Sequence, residues 1–417
     1  MTTRTAQTRP TQTRPTLTAT TPTLTPTAQT RLSTSALARC IEPVEEKVFL
    51  ADYWERRPLV VERDEPGRYD DLLTTEDVER LLESGSLRSP AFRLVKADTK
   101  LSAGNYLVDV PWRPVAFGGM ADVGAVASAF DDGATLVVQA LHHWWPPLAA
   151  FCRSLDAALG HPTQANAYYT PRSAQGLPVH HDTHDVFCLQ ISGEKRWLVY
   201  DPVWNLPLKD QRYEPSMGNP GEPVLDVTLS PGDLLYLPRG WMHEAKTSDS
   251  DSLHLTIGAN VYTWLDAFRA ALEECAVDED FRHSPEGSAD ELVERLASRL
   301  GEEDVRRRMR SRLVSTRRPI LAGQVDQLRA LRDLDAETEL ERRPTVLVDL
   351  ETRGDRALLT FEGKTLEFPA RVRGELDYVL ESEDSFRPSD LPGKLDEAGR
   401  LVLVRRLVRD GLLRIIG

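Results

Sequence analysis

No apolar run in these 417 residues approaches the roughly 18 needed to cross a bilayer as a helix, and the N-terminus lacks the short apolar stretch of a secretory signal. A membrane role is disfavoured, and the cytoplasm is the expected location. Cysteine is scarce: Cys40, Cys152, Cys188 and Cys275 are scattered and form no C-x-x-C pair, which argues against a zinc-thiolate site and a disulfide framework. They are expected as reduced, mostly buried thiols. Positive charge is in deficit, with 51 basic against 65 acidic residues and a formal net charge of -14. Such a surface repels phosphate backbones, so direct nucleic-acid binding is not expected, whereas a basic protein or peptide is drawn to it. Lysine is rarer still, supplying eight of those 51 residues, so a lysine inside a strand is conspicuous.

Residues 1–33 are Thr- and Pro-rich, with 14 threonines in the first 30 positions, prolines at 10, 15, 22 and 26, and no acidic residue. Such a segment buries too little apolar surface to offset chain entropy and is expected to be a disordered tail. Its prolines oppose the amphipathic helix of an organelle transit peptide. Residues 34–263 carry short β-like runs punctuated by Pro and Gly, at Arg57–Val61, Thr135–Val138, Val186–Ile191, Trp197–Tyr200 and Leu234–Leu237. They predict a mainly β domain, a barrel or jelly roll, interrupted by helices near Thr75–Leu82 and Pro147–Leu159. Residues 264–335 turn to a helical period and predict three or four helices, one opening at the capping-box signature Ser288-Ala289-Asp290-Glu291. The Arg-rich stretch 302–317 reads as a solvated helix face. Residues 336–417 predict a small α+β unit: a hairpin across Glu362-Gly363, helices near Gly374–Leu380 and Ala398–Val408, then an extended Leu412–Ile416. That order is compatible with a winged helix. Positions 341–417 hold 14 basic against 15 acidic residues, without the basic stripe of a DNA reader; tight, salt-sensitive binding of duplex DNA would contradict this.

The segment Pro178-Val179-His180-His181-Asp182-Thr183-His184-Asp185 contains the only H-x-D. Residues two apart on a strand point to the same side, so His180 and Asp182 are placed to chelate one ion inside a barrel. A third ligand is expected from a later strand. His243 supplies it, at the exit of the turn, strand and turn running from Pro231 to Met242, 61 residues beyond Asp182. Each part alone is commonplace on a surface or in a core. Together they make two imidazoles and one carboxylate, which on one face of an octahedral ion leave three positions open, as in non-haem Fe(II) oxygenases. A bidentate 2-oxo acid fills two and O₂ the third. His184 lies on the same face of a regular strand and is the rival ligand; His181 points away.

Four blocks carry a resemblance: Gln175 to Asp182, Asp185 to Gln190, Gly193 to Trp197, and Tyr236 to His243, with weaker similarity over Phe49–Val61 and Gly133–Leu155. They resemble a bacterial member of the JmjC ribosomal-oxygenase family, the cupin-like protein hydroxylases. The resemblance implies a double-stranded β-helix (JmjC/cupin jelly roll), a helical dimerisation region that makes a homodimer, and a C-terminal winged helix. It also implies Fe(II) as cofactor, 2-oxoglutarate and O₂ as co-substrates, and hydroxylation of a protein side chain, typically on a ribosomal protein. Lys195 matches the family lysine that pairs with the distal carboxylate of 2-oxoglutarate, and Asn166, Tyr168, His254 and Thr256 fall at positions lining that pocket. Alternation lets only one of Lys195 and Arg196 face inward; the family match selects Lys195. His181 and His184 stand where relatives carry aromatic or apolar residues. Other readings are an oxygenase of this fold acting on a small molecule, a natural-product peptide or methylated lysine, and a non-catalytic cupin-like binding protein. The intact triad with Lys195 counts against the last.

Overall fold

The computed structural model describes residues 35–97, 99–111 and 115–416, so the expected tail at 1–33 lies outside the described residues. From Thr34 onward the chain forms one compact unit. Strands up to residue 259 are β1 (Leu59–Val61), β2 (Phe92–Val95), β3 (Leu107–Val110), β4 (Phe117–Ala121), β5 (Thr135–Val138), β6 (Thr163–Thr170), β7 (Asp185–Ser192), β8 (Lys195–Tyr200), β9 (Leu225–Leu229), β10 (Leu234–Leu237), β11 (Met242–Lys246) and β12 (Ser252–Ala259). The large sheet has the antiparallel order β1-β10-β7-β12-β6-β5-β2, and a small sheet has the order β11-β8-β9. Two of the expected strands, β5 and β10, appear residue for residue. The expected Arg57–Val61 run shortens to β1.

Alternation along β7 explains the layering. Phe187, Leu189 and Ile191 pack with Phe151 and Leu155 of the helix Pro146–Leu159 and with Leu255 and Ile257 of β12. Val186 and Cys188 point the other way and join Trp197, Val199 and Leu229 of the small sheet in a second core. A strand buried on both faces needs near-continuous apolar sequence, which β10 and the middle of β7 have, whereas β12 alternates Leu253, Leu255 and Ile257 with His254, Thr256 and Gly258. The polar exceptions on the inner faces of β7 and β12 are therefore informative.

The helices Trp264–Cys275, Asp290–Ser298, Glu302–Thr316 and Gln324–Ala330 follow. The first is capped by reciprocal bonds between Thr263 and Asp266. The capping box expected at Ser288 is not made. Ser288 Oγ accepts from the Asp290 amide at 3.1 Å, a local turn two residues on, and the helix starts only after Ala289. Beyond residue 336, β13 (Leu340–Arg342) pairs with β17 (Leu413–Ile415), and β14 (Val348–Arg353), β15 (Arg356–Phe361) and β16 (Lys364–Pro369) form a meander. With the helices Arg373–Glu381 and Glu397–Arg409 they enclose a core of their own around Phe361, Phe368, Leu376 and Leu407.

The β15–β16 turn has both central residues in the left-handed region, Glu362 at φ 49° and Gly363 at φ 73°, the geometry of a tight hairpin. Glu362 tolerates it because its carboxylate is held by Arg153 of the barrel helix, at 2.7 and 2.5 Å, with both side chains buried. Arg317 approaches Asp156 and Glu362 at 3.7 and 3.9 Å in the same cluster. Removing one partner of a buried pair leaves the other charge uncompensated. Arg153→Met is expected to destabilise the chain by about 3–5 kcal/mol in urea denaturation, and Arg153→Met combined with Glu362→Gln by less than the single change. A double variant no better than the single one would contradict this.

Candidate metal centre

Three side chains meet where the loop before β7 crosses β11. His180 and His243 form an isolated antiparallel bridge, each amide donating to the other's carbonyl at 3.1 and 2.8 Å, and the Gly240 amide donates to the Asp182 carbonyl at 3.1 Å. Backbone pairing thus fixes all three positions relative to one another. The His180 ring uses Nδ1 on the Pro178 carbonyl at 2.8 Å, and the His243 ring uses Nδ1 on the Trp241 carbonyl at 3.0 Å. A carbonyl only accepts, so each Nδ1 carries its proton and each Nε2 presents a lone pair. The ligand atoms of His180, Asp182 and His243 lie within 4.8 Å of one another, with His243 Nε2 at 3.8 Å from Asp182 Oδ2.

Two converging lone pairs and a carboxylate repel one another unless a cation lies between them, so the donor set fits a divalent ion. The protonation states suit it as well. Burial, aided by His180, pushes His243 down to about 4, keeping the imidazole neutral and able to ligate. Burial works to raise Asp182, but the imidazoles of His184, His180, His243 and His181 outweigh it and hold the carboxyl below its ordinary range.

A cavity leads from these residues between the sheets to Lys195. Lys195 is buried at the start of β8, and its Nζ donates to Thr170 Oγ1 at 2.9 Å. No carboxylate pairs with it among the described residues. Burial pushes its ammonium down to about 7. Tyr168 and His254 stack nearly parallel beside it, centroids 5.1 Å apart, and Thr256 lines the same wall. His254 Nδ1 and Trp197 Nε1 are buried polar atoms without a hydrogen-bond partner among the described residues. An ammonium without a carboxylate partner and an orphaned indole N–H in one cavity fit an anionic, oxygen-rich ligand.

Residues 146–267 match the JmjC domain family. The segment that holds all three ligands of the cluster is thus similar to JmjC domains. The chain is 31% identical over 252 residues to ribosomal oxygenase 1 of Gallus gallus, covering 58% of this chain and 40% of that one. It is 32% identical over 223 residues to ribosomal oxygenase 2 of Mus musculus, covering 52% and 45%. It is 31% identical over 224 residues to the bifunctional lysine-specific demethylase and histidyl-hydroxylase NO66 of Drosophila persimilis, covering 54% and 31%. The match spans less than half the length of each of these relatives. Among solved structures, YcfD, a ribosomal oxygenase from Escherichia coli in complex with cobalt and 2-oxoglutarate, superposes with a TM-score of 0.55 over 90% of this chain and 99% of that one, at 18% identity. That likeness establishes the fold, a sheet-rich JmjC/cupin barrel with helical parts.

Within the JmjC barrel, not every expected site residue reaches the cavity. Asn166 does not line it. Its Oδ1 accepts from the amide of Ala140, at 2.9 Å, a residue held in the left-handed region at φ 55°. His181 turns away, as expected, with Nε2 on the Gln211 carbonyl at 3.1 Å and its ring edge-on to Tyr213. His184 is not part of the ligand cluster. Regular pairing breaks after His180 and resumes at Asp185, and the His184 ring lies instead over Gly258. Sequence reasoning missed Trp197, which stands edge-on to His254 at 5.4 Å, and Thr170 and Thr135, hydrogen-bonded to each other at 3.1 Å behind Lys195. Alternation from Lys195 places Trp197 inward; nothing local marks the two threonines.

Proposed function

We propose that this chain is an Fe(II)- and 2-oxoglutarate-dependent dioxygenase that hydroxylates a protein side chain, with a ribosomal protein as substrate. His180, Asp182 and His243 hold the iron, and Lys195 takes the distal carboxylate of 2-oxoglutarate, with Tyr168, His254 and Thr256 lining its pocket. The observation that carries this is the cavity itself, with a facial ligand set at one end and a buried, unpaired ammonium at the other. Bound iron supplies oxidation of a C–H bond by O₂ coupled to decarboxylation of the 2-oxo acid to succinate and CO₂. The chain's own task is to orient the co-substrate, keep the His243 imidazole neutral and exclude water. The relatives named ribosomal oxygenases and the neighbour with cobalt and 2-oxoglutarate support the reading. Incubation with Fe(II), 2-oxoglutarate and a ribosomal-protein extract is expected to yield succinate and a protein heavier by one oxygen atom. Succinate with formaldehyde in place of that mass gain would assign demethylation instead.

The division into residues 34–263 (catalytic), 264–335 (dimerisation) and 336–417 (winged-helix-like) belongs to the same proposal. The helix Trp264–Cys275 buries Ala267, Ala271 and Cys275 but leaves Trp264 63% and Leu272 51% exposed, with Phe268 between them on one face. That stripe packs against a second copy. Sedimentation is expected to give a homodimer, dissociated by Trp264→Glu with Phe268→Glu; a strictly monomeric wild type at high micromolar concentration would refute it. Four buried, unpaired cysteines agree with a reducing cytoplasm. Among the described residues no helix is long and apolar enough to cross a membrane.

A further inference from the structure

We infer that His184 is a substrate-positioning residue, seated by Gly258 at the end of the barrel opposite Lys195; this rests on the function proposed above. Along β12 the residues His254, Thr256 and Gly258 share one face by alternation, and the first two line the cavity with Lys195. Gly258 continues that face, paired with Val186 of β7 and Gln164 of β6. A Cβ at position 258 would stand 2.2 Å from His184 Cδ2 and 2.6 Å from Nε2. The missing side chain is therefore the seat of this imidazole. Any residue larger than glycine there displaces the ring.

With its Cδ2–Nε2 edge turned onto Gly258, the ring carries Nδ1 on the opposite edge. Each of the other histidines around Asp182 has one ring nitrogen committed to a carbonyl: Nδ1 of His180 and of His243, and Nε2 of His181 on the Gln211 carbonyl. His184 makes no hydrogen bond among the described residues, and it is half-buried. It stands two residues past Asp182, outside the ligand cluster. The co-substrate occupies the Lys195 end, so the oxidisable side chain approaches the metal ligands from the Gly258 end and meets this imidazole. His184 hydrogen-bonds a polar group of the substrate and sets which carbon faces the metal. It touches neither metal nor co-substrate.

The probe is the unmodified form of whichever ribosomal protein the wild-type chain oxidises in the extract. His184→Ala is expected to raise the half-saturating concentration of that protein about tenfold, the loss of one hydrogen bond. Gly258→Ala, which unseats the ring, is expected to do the same. His184→Gln, which keeps a donor and an acceptor, recovers most of the loss. Co(II) titration, followed by absorbance, is expected to give the same affinity in all four proteins. A loss of Co(II) affinity of tenfold or more in His184→Ala would make His184 a ligand and overturn the inference. A wild type that forms no succinate overturns the proposed function and this inference with it. An active wild type whose half-saturation is matched by His184→Ala overturns this inference alone.

Discussion

Asp182→Ala is expected to abolish turnover and to lower Co(II) or Fe(II) affinity by more than about a hundredfold, beyond what losing an outer partner of a metal ligand costs. Asp182 is the only carboxylate in the cluster, so the variant leaves two imidazoles, which carry no negative charge to offset the ion's. The fold should survive. The Asp182 side chain makes no hydrogen bond among the described residues, and what holds this segment is its carbonyl, which accepts from Gly240 and persists in alanine. Removing a half-buried carboxylate that approaches His243 only to 3.8 Å costs the metal-free protein little. Thermal melts separate the two effects. Metal that binds the native state alone stabilises it in proportion to the logarithm of its saturation. Co(II) is therefore expected to raise the melting temperature of the wild type and not that of Asp182→Ala, while the metal-free proteins melt within a few degrees of each other. A variant that keeps its metal-induced shift and its activity would remove Asp182 from the ligand set.

That His180, Asp182 and His243 converge was legible because the signal is local: an H-x-D before an apolar run, and a histidine after a turn. The strand break is less legible: a regular strand would carry both His180 and Asp182, whereas regular pairing ends at the His180–His243 bridge and β7 begins only at Asp185. Six residues rich in His and Asp hold no apolar alternation that would mark that break. The misplacements share a cause. Asn166 is claimed by the Ala140 amide, 26 residues earlier, and His184 by a missing side chain 74 residues later. Both are tertiary events with no periodic signal. Ser288 failed locally, because a serine offers its hydroxyl to the nearest free amide as readily as to one a helical turn away. Strands such as β5 and β10 were recovered residue for residue because they are short apolar runs closed by turn residues.

Lys195→Ala is expected to raise the half-saturating concentration of 2-oxoglutarate by about 10–100-fold, the cost of a charge-assisted hydrogen-bonded pair, with Co(II) affinity little altered. The register of β8 decides between Lys195 and its neighbour. Lys195 and Trp197 are buried and line the cavity, while Arg196 is exposed and spends its guanidinium on Asp226 at 2.7 and 2.6 Å. Arg196→Ala is therefore expected to leave the 2-oxoglutarate requirement as it is. A pH series adds a readout that simple loss of packing would not produce. Burial lowers the Lys195 ammonium to about 7, so in the ligand-free protein the charge is present below that pH and is lost above it. Only the protonated form pairs with a carboxylate. Affinity for 2-oxoglutarate is thus full below about pH 7 and falls by up to about tenfold per unit above it, until the higher value reached in the complex is passed. In Lys195→Ala that slope disappears. The Thr170 hydroxyl, 2.9 Å from Nζ, holds the ammonium in place without neutralising it, so Thr170→Val is expected to shift the pH at which the slope begins rather than abolish it. A 2-oxoglutarate affinity that rises with pH in the wild type, or a defect found in Arg196→Ala and not in Lys195→Ala, would show that the co-substrate lies elsewhere.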